Sequence, residues 1–175
     1  NAEYTSIPVG KHRLRFTTNH DESAWDASPV SLFGGLNGAM TASAITIFTG
    51  GVPMIYSGQE VGRSSTTPFF TNSPINWNGN PTMLQFYEDL MQWYKSNETV
   101  KRGFVASAST NDVFALKKNL NGQDVVIMAN VRNSTVTFTV PTAWQGNWNA
   151  ALSGAAYSLA STVTLAPFQC VIIQR

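Results

Sequence analysis

The sequence holds one cysteine in 175 residues, Cys170, so no intrachain disulfide can close and no thiolate set for zinc or an iron–sulfur cluster can be assembled. Histidine is almost as scarce, with only His12 and His20. Neither stands at a spacing that ligates zinc, and no Asp-rich loop matches calcium. Charge is sparse as well: 11 Lys and Arg against 10 Asp and Glu give a net charge of +1, and charged residues make up 12% of the chain. That balance excludes a polybasic nucleic-acid binder. A run of 33 residues without charge separates Asp26 from Glu60, long enough to compare with the ~20 apolar residues of a membrane span. Gly34, Gly35, Asn37, Gly38, Thr41, Ser43 and Thr46 dilute it, and Gly50-Gly51-Val52-Pro53 divides it, so it reads as a buried helix followed by a buried strand. Internal repeats and low-complexity tracts are absent. The chain opens on Asn1-Ala2-Glu3 with neither Met nor a basic and apolar leader, which reads as a mature protein or an excised piece of a longer one.

What is present suits a folded chain. Hydrophobic residues are 43% of the sequence, enough for a packed core at this length and too many for disorder. Asn, Ser and Thr together number 49, so surface polarity comes mostly from neutral amides and hydroxyls, which serve turns or sugar hydroxyls. This composition leans toward an extracellular or periplasmic location.

Residues 13–18 form a short strand pattern that ends in Asn19-His20-Asp21-Glu22, and a helix is expected over residues 32–48, where Leu36, Met40, Ser43 and Ile47 recur at helical spacing. A second apolar strand is expected over 52–56, with Pro53 tolerated near its start. After a polar loop over 58–79, Asn80-Pro81 sets an N-cap with proline in the first helical position. Met83, Phe86, Tyr87, Leu90, Met91 and Tyr94 then mark one helix face, with Lys95, Lys101 and Arg102 toward its end and Gly103 beyond. From there the period drops to two, at 113–116, 125–128, 135–140, 162–165 and 170–173, with turns at Asn111-Asp112, 119–122 and 132–134. This pattern reads as an antiparallel β-sandwich. The expected organisation is an α/β region over 1–102 and an all-β region over 103–175.

Two strand–helix units cannot close a parallel barrel, which needs eight strands and about 250 residues. The first region is therefore expected to be the end of a larger α/β domain. In such domains the loops after the C-terminal ends of the strands carry the chemistry. His20, Asp21 and Glu22 stand at one such end, and Ser57, Gln59 and Glu60 at the next. Neighbouring strands lie about 4.8 Å apart, so Asp21 and Glu60 are a carboxylate pair to test at the separations of glycoside hydrolysis. The competing reading makes each of them a backbone cap.

The run Phe16-Thr17-Thr18-Asn19-His20-Asp21-Glu22, followed by Gly51-Val52-Pro53-Met54-Ile55-Tyr56-Ser57-Gly58-Gln59-Glu60-Val61-Gly62, resembles the α-amylase family, glycoside hydrolase family 13. The Phe86-Tyr87-Glu88-Asp89-Leu90 helix and the β-rich tail resemble the same family's last barrel helix and C-terminal β-sandwich. The resemblance implies α/β plus all-β architecture: a partial (β/α)8 TIM barrel, its last two βα units, followed by an antiparallel β-sandwich domain. It implies a retaining reaction on α-linked glucans, with an Asp nucleophile, a Glu acid/base and a third Asp that helps distort the sugar. Only that third Asp is matched, at Asp21, while His20 matches a histidine that hydrogen-bonds the sugar. Asn19 is assigned to the same substrate-binding segment, more as a positioner of the loop than as a sugar contact. Glu60 becomes a structural residue at the barrel mouth, which demotes its pairing with Asp21. The nucleophile and acid/base segments have no match, so the chain alone is expected to be inactive. It would belong to a longer parent acting on an α-glucan or maltooligosaccharide, in which calcium is possible through other segments. No cofactor is expected in this chain. The alternative is a non-catalytic carbohydrate-binding or interaction protein of the same fold. In either reading the exposed edges of the barrel piece would pair with the missing barrel portion or with a second copy, as a homodimer.

Aromatic rings stack on pyranose faces, so Trp25, Tyr56, Phe70 and Trp77 are candidates for sugar contact. Core packing is the leading expectation for each of the four. Trp25 is the foremost sugar-contact candidate because it follows the Asn19–Glu22 loop among polar neighbours. Trp144 and Trp148 offer either a starch-binding platform or a packed turn, the second being expected. Cys170 reads as an inert core residue.

Overall fold

The computed structural model describes residues 6–175, and the first five residues of the expected α/β region lie outside the described residues. Strand β1 (Leu14–Arg15) pairs in parallel with β2 (Val52–Pro53), with Leu14 opposite Val52 and Arg15 opposite Pro53. Both are shorter than the expected 13–18 and 52–56. Each has a single ladder partner, and the pairing rests on Val52 N–H to Arg13 O and Met54 N–H to Arg15 O, both 2.8 Å. Pro53 falls between these two donors, so its missing N–H lies on the unpaired side. Gly51 makes the approach possible, because a Cβ there would sit 2.4 Å from Arg13 O.

A π-helical turn (Glu22–Asp26) and helices α1 (Pro29–Leu32) and α2 (Leu36–Phe48) connect the two strands. The single helix expected over 32–48 is divided. The residues at helical spacing, Leu36 to Ile47, all fall in α2, while Leu32 ends α1; between them Gly34 and Gly35 take φ of +76° and +110°, a conformation open to glycine that ends one helix and starts another. Helix α3 (Pro81–Ser96) forms as its cap predicts, the Asn80 side chain accepting from Met83 N–H at 2.9 Å. It buries Met83, Tyr87, Leu90 and Trp93, the last of which lies outside the face read from the sequence. Asn97 then ends α3 and caps α4 (Glu98–Arg102), accepting from Val100 N–H at 3.0 Å.

Eight further strands follow: β3 (Phe104–Ser107), β4 (Val113–Leu120), β5 (Gln123–Asn130), β6 (Val136–Thr139), β7 (Gly146–Ala150), β8 (Ala156–Leu159), β9 (Thr162–Leu165) and β10 (Cys170–Gln174). They build a six-stranded antiparallel sheet in the order β3-β4-β5-β10-β7-β8, and β6 pairs separately with β9. The β4–β5 hairpin turns on Asn121 and Gly122 at φ of +52° and +85°, the positive values that a two-residue turn between right-twisted strands requires.

Strand β5 is buried along nearly its whole length because the large sheet is covered on both faces. On one face Leu116, Val125, Ile127, Ala129 and Ile172 pack with Ala44, Ile47 and Phe48 of α2, Leu90 and Trp93 of α3, and Val100 of α4. On the other, Val113, Ala115, Val126, Met128 and Ile173 pack with Phe138, Leu165, Trp144 and Trp148. Polar ties cross the helix-side layer: Trp93 Nε1–H donates to Gln174 Oε1 at 2.8 Å, Thr41 Oγ1 to Phe168 O at 2.6 Å, and Lys118 Nζ to Val100 O at 2.6 Å. Trp144 and Trp148 are buried, with Trp148 Nε1–H donating to Trp144 O at 2.8 Å, as the packed-turn reading expects. Cys170 is half-buried against the helix-side core, and burial pushes its thiol up to about 12.

Candidate active site

Because β1 and β2 run the same way, the segments that leave them, 16–22 and 54–60, emerge at the same end of the pair. Gln59 ties the two together. It is 5% exposed, and its Nε2 lies 2.8 Å from Thr17 Oγ1, 3.0 Å from Ser43 Oγ and 2.9 Å from Tyr87 OH. Its Oε1 accepts from Tyr56 N–H at 3.3 Å, and Ser43 Oγ and Tyr87 OH are bonded to each other at 2.8 Å. An amide nitrogen has two hydrogens for these three oxygens, so the Ser43–Tyr87 bond completes a closed set. Burial raises the Tyr87 pKa above its usual value against the opposing effect of the Ser43 and Gln59 hydrogen bonds, and the Glu60 charge adds to the rise. Tyr87 remains a neutral donor and acceptor at pH 7.

This anchor fixes Thr17 and the buried Thr18, from which the next residues turn outward. Asn19 Oδ1 accepts from Glu22 N–H at 2.9 Å and its carbonyl from Ser23 N–H at 3.0 Å. Asn19 therefore shapes the turn. His20 and Asp21 stand in solvent at the bend, with His20 Nε2 3.5 Å from Asp21 Oδ2. Glu22 titrates above its ordinary value through its hydrogen bond with Asp26, aided by slight desolvation and by the Asp26 and Asp21 charges. The bend is thus an acidic surface with one histidine.

Glu60 differs from the acidic residues of the bend in its burial. Its Oε2 is buried and has no partner among the described residues, whereas the Asp21 side chain is 63% exposed. The two carboxylates occupy different environments.

The expectation of core packing fails for three of the four aromatic candidates. Trp25, Phe70 and Trp77 are exposed, and Tyr56 is half-buried. Phe70 and Trp77 lie on the loop between β2 and α3 among Pro, Asn, Ser and Thr, and Trp25 lies on the short π-helical turn, of which only Ser23 is buried. Two residues that sequence reasoning passed over shape this side. Phe69 packs between His20 and Trp25, and Arg63 gathers the loop that carries it, donating to the carbonyls of Ser65, Thr66, Ser73 and Pro74 and to the Ser73 hydroxyl. The one cation in a loop whose only other charge is Glu60 was the available signal for Arg63. For Gln59 it was its place in the Gly58-Gln59-Glu60 run just after the second strand. Among the described residues no group of three or more His, Cys, Asp or Glu side chains could hold a metal ion.

No protein-family model matches the chain, and no curated protein does. Solved structures do. A mutant of the Bacillus licheniformis trehalose-6-phosphate hydrolase TreA shares its fold at a TM-score of 0.74 and 14% identity, covering 92% of this chain and 42% of that one. A mutant of MutB in complex with its substrate sucrose gives 0.70 and 17%, covering 92% and 42%. AmyP in complex with maltose gives 0.65 and 15%, covering 79% and 34%. The chain has the fold of part of these carbohydrate-binding proteins, and it spans well under half the length of each. The motif resemblance to the α-amylase family is thus met by the fold.

Proposed function

We propose that this chain is the C-terminal part of an α-amylase-family glycoside hydrolase: the last two βα units of a (β/α)8 barrel, with its β-sandwich domain from residue 103. The observation that carries the reading is the parallel register of Leu14 with Val52 and Arg15 with Pro53, which brings the Asn19-His20-Asp21 and Gln59-Glu60 segments to one end of the pair. A parallel pair with two open edges is half of nothing stable by itself. Leu14, Phe16 and Val52 are exposed, as flanks that further strands would cover. The supporting comparisons are with proteins that bind maltose and sucrose or hydrolyse trehalose 6-phosphate.

In this reading the parent cleaves α-linked glucans with retention. The nucleophilic carboxylate and the acid/base reside on upstream polypeptide. Asp21 and His20 hydrogen-bond the hydroxyls of the sugar at the cleaved position. Those bonds tighten as the ring flattens toward an oxocarbenium ion, so they lower the barrier rather than only the binding energy. Asn19 holds the bend in place. A calcium ion, where the parent has one, belongs to its other segments, since the described residues offer no cluster for it. The open edges pair with the missing barrel portion, a homodimer by strand exchange being the competing arrangement. We place the parent outside the cytosol, extracellular or periplasmic.

Two assays test this. The 175-residue chain incubated with soluble starch should release no reducing sugar, because a retaining hydrolase without its two reacting carboxylates lacks the covalent route. In the longer polypeptide, Asp21→Asn should lower kcat on maltooligosaccharides at least about a hundredfold. Turnover by the chain alone, or a loss under about tenfold, refutes the assignment.

A further inference from the structure

The rings beside His20 form one continuous exposed surface. Phe69 lies 5.9 Å from the His20 ring, 5.5 Å from Trp25 and 6.0 Å from Phe70, centroid to centroid. Trp25 is 71% exposed, Phe70 91% and Phe69 41%. A contiguous aromatic surface of this kind on a folded chain marks a place where something docks. The backbone beneath it is held: Thr67 N–H donates to Ser23 O at 2.9 Å, Ser31 Oγ to Ser64 O at 3.3 Å, and Arg63 secures the loop from within. The rim decides what kind of partner fits. Trp25 belongs to the Glu22–Asp26 turn, so Asp21, Glu22 and Asp26 stand beside it, and His20, against Phe69, lies 3.5 Å from the Asp21 carboxylate; Thr71 and Asn72, next in the chain after Phe70, are exposed and uncharged. Exposed rings bordered by carboxylates and a histidine complement a pyranose, whose C–H face stacks on an aromatic while its hydroxyls donate to the polar groups at the periphery. A hydrophobic protein surface would strand those polar groups, and an anionic lipid surface would be repelled by the Asp21, Glu22 and Asp26 carboxylates.

We propose that Trp25, Phe69 and Phe70 form an aromatic ledge that receives one pyranose ring of an α-linked oligosaccharide, next to the ring held by His20 and Asp21. The ligand class rests on the function proposed above. The ledge would set preference for chain length, since a ring seated there adds binding without touching the cleaved bond.

The test is a maltotriose titration of the 15N-labelled 175-residue chain, reading the indole N–H signals of its five tryptophans. The Trp25 signal should move, while those of the buried Trp93, Trp144 and Trp148 stay. Phe70→Ala, at a site too exposed to disturb folding, should weaken the affinity at least fivefold. Thr137→Ala, an exposed change on β6 across the large sheet from the helices, should leave it within about twofold. A Trp25 signal indifferent to maltotriose, or an unchanged affinity in Phe70→Ala, overturns the proposal. So does Trp25 in the longer polypeptide being shielded from acrylamide without sugar, which would give the patch to protein packing. An unmoved Trp25 signal beside a large kcat loss in Asp21→Asn sinks the ledge alone. A moved signal beside an unchanged kcat sinks the catalytic reading and leaves the ledge.

Discussion

Replacing Gln59 with Leu removes the amide that links β1, β2, α2 and α3 while nearly preserving side-chain volume. The native amide gives two hydrogens to Thr17, Ser43 and Tyr87 and accepts one from Tyr56 N–H. A buried hydrogen bond nets roughly 1 kcal/mol, so two donated bonds account for about 2 kcal/mol. The Tyr56 N–H loses its acceptor in a half-buried setting, which adds about 1 kcal/mol. Ser43 and Tyr87 retain each other at 2.8 Å, so their hydroxyls are not stranded. The expected loss is therefore about 3 kcal/mol in a urea melt followed by circular dichroism. Tyr87→Phe should cost about 1 kcal/mol alone. Because both changes act on one network, the double variant should fall short of their sum by at least about 0.5 kcal/mol. A Gln59→Leu loss under about 0.5 kcal/mol, or strict additivity with Tyr87→Phe, refutes the closed network.

Two further predictions concern charges in the sheet. Lys118 is 2% exposed, and burial pulls its pKa from 10.5 down to about 8. The unfolded chain then binds more protons than the folded one between those values, so the burial penalty is complete below pH 8 and fades as pH climbs toward 10.5. The stability of wild type minus that of Lys118→Met, from melts at pH 7 to 10, should rise by up to about 3 kcal/mol across that window; a flat difference refutes it. Taking the difference cancels the opposite trend of Cys170 and the raised tyrosines. Asp124 feels burial pushing its pKa up, but hydrogen bonds from Lys117 and Asn119 and the Lys117 and Arg175 charges overcome this and hold it below the ordinary 3.8. Its stabilisation is present above that value and disappears as pH falls through the folded pKa. Asp124→Asn should cost about 1–3 kcal/mol at pH 7 and much less in acid melts below pH 3; an equal cost at both refutes it.

Helix α3 was legible because cap, proline and apolar stripe agree, and strands β4, β5, β6, β9 and β10 because their inward residues alternate or run on. The strands that escaped were β3, exposed throughout, and β7 and β8, where Trp148 and Leu159 are the only fully buried side chains. The edge strands β3 and β8, and β7 beside β8, bury few side chains and so leave little pattern. The split between α1 and α2 was hidden because glycine's backbone freedom does not show in hydrophobic spacing. At the candidate site, the motifs located Asn19, His20 and Asp21, yet Gln59 and Phe69 matter through contacts with residues 16 to 49 positions away. No local period records such distances.

The large sheet is a wall shared by two rooms, with helices against one side and the β6–β9 ribbon against the other. Anyone grafting the β-rich tail onto another enzyme at Gly103 would carry off Leu116, Ile127 and Ile172 without the lining they were shaped against. A workable splice has to travel upstream, taking α2, α3 and α4 with it, and so brings the Asp21 bend along as a passenger.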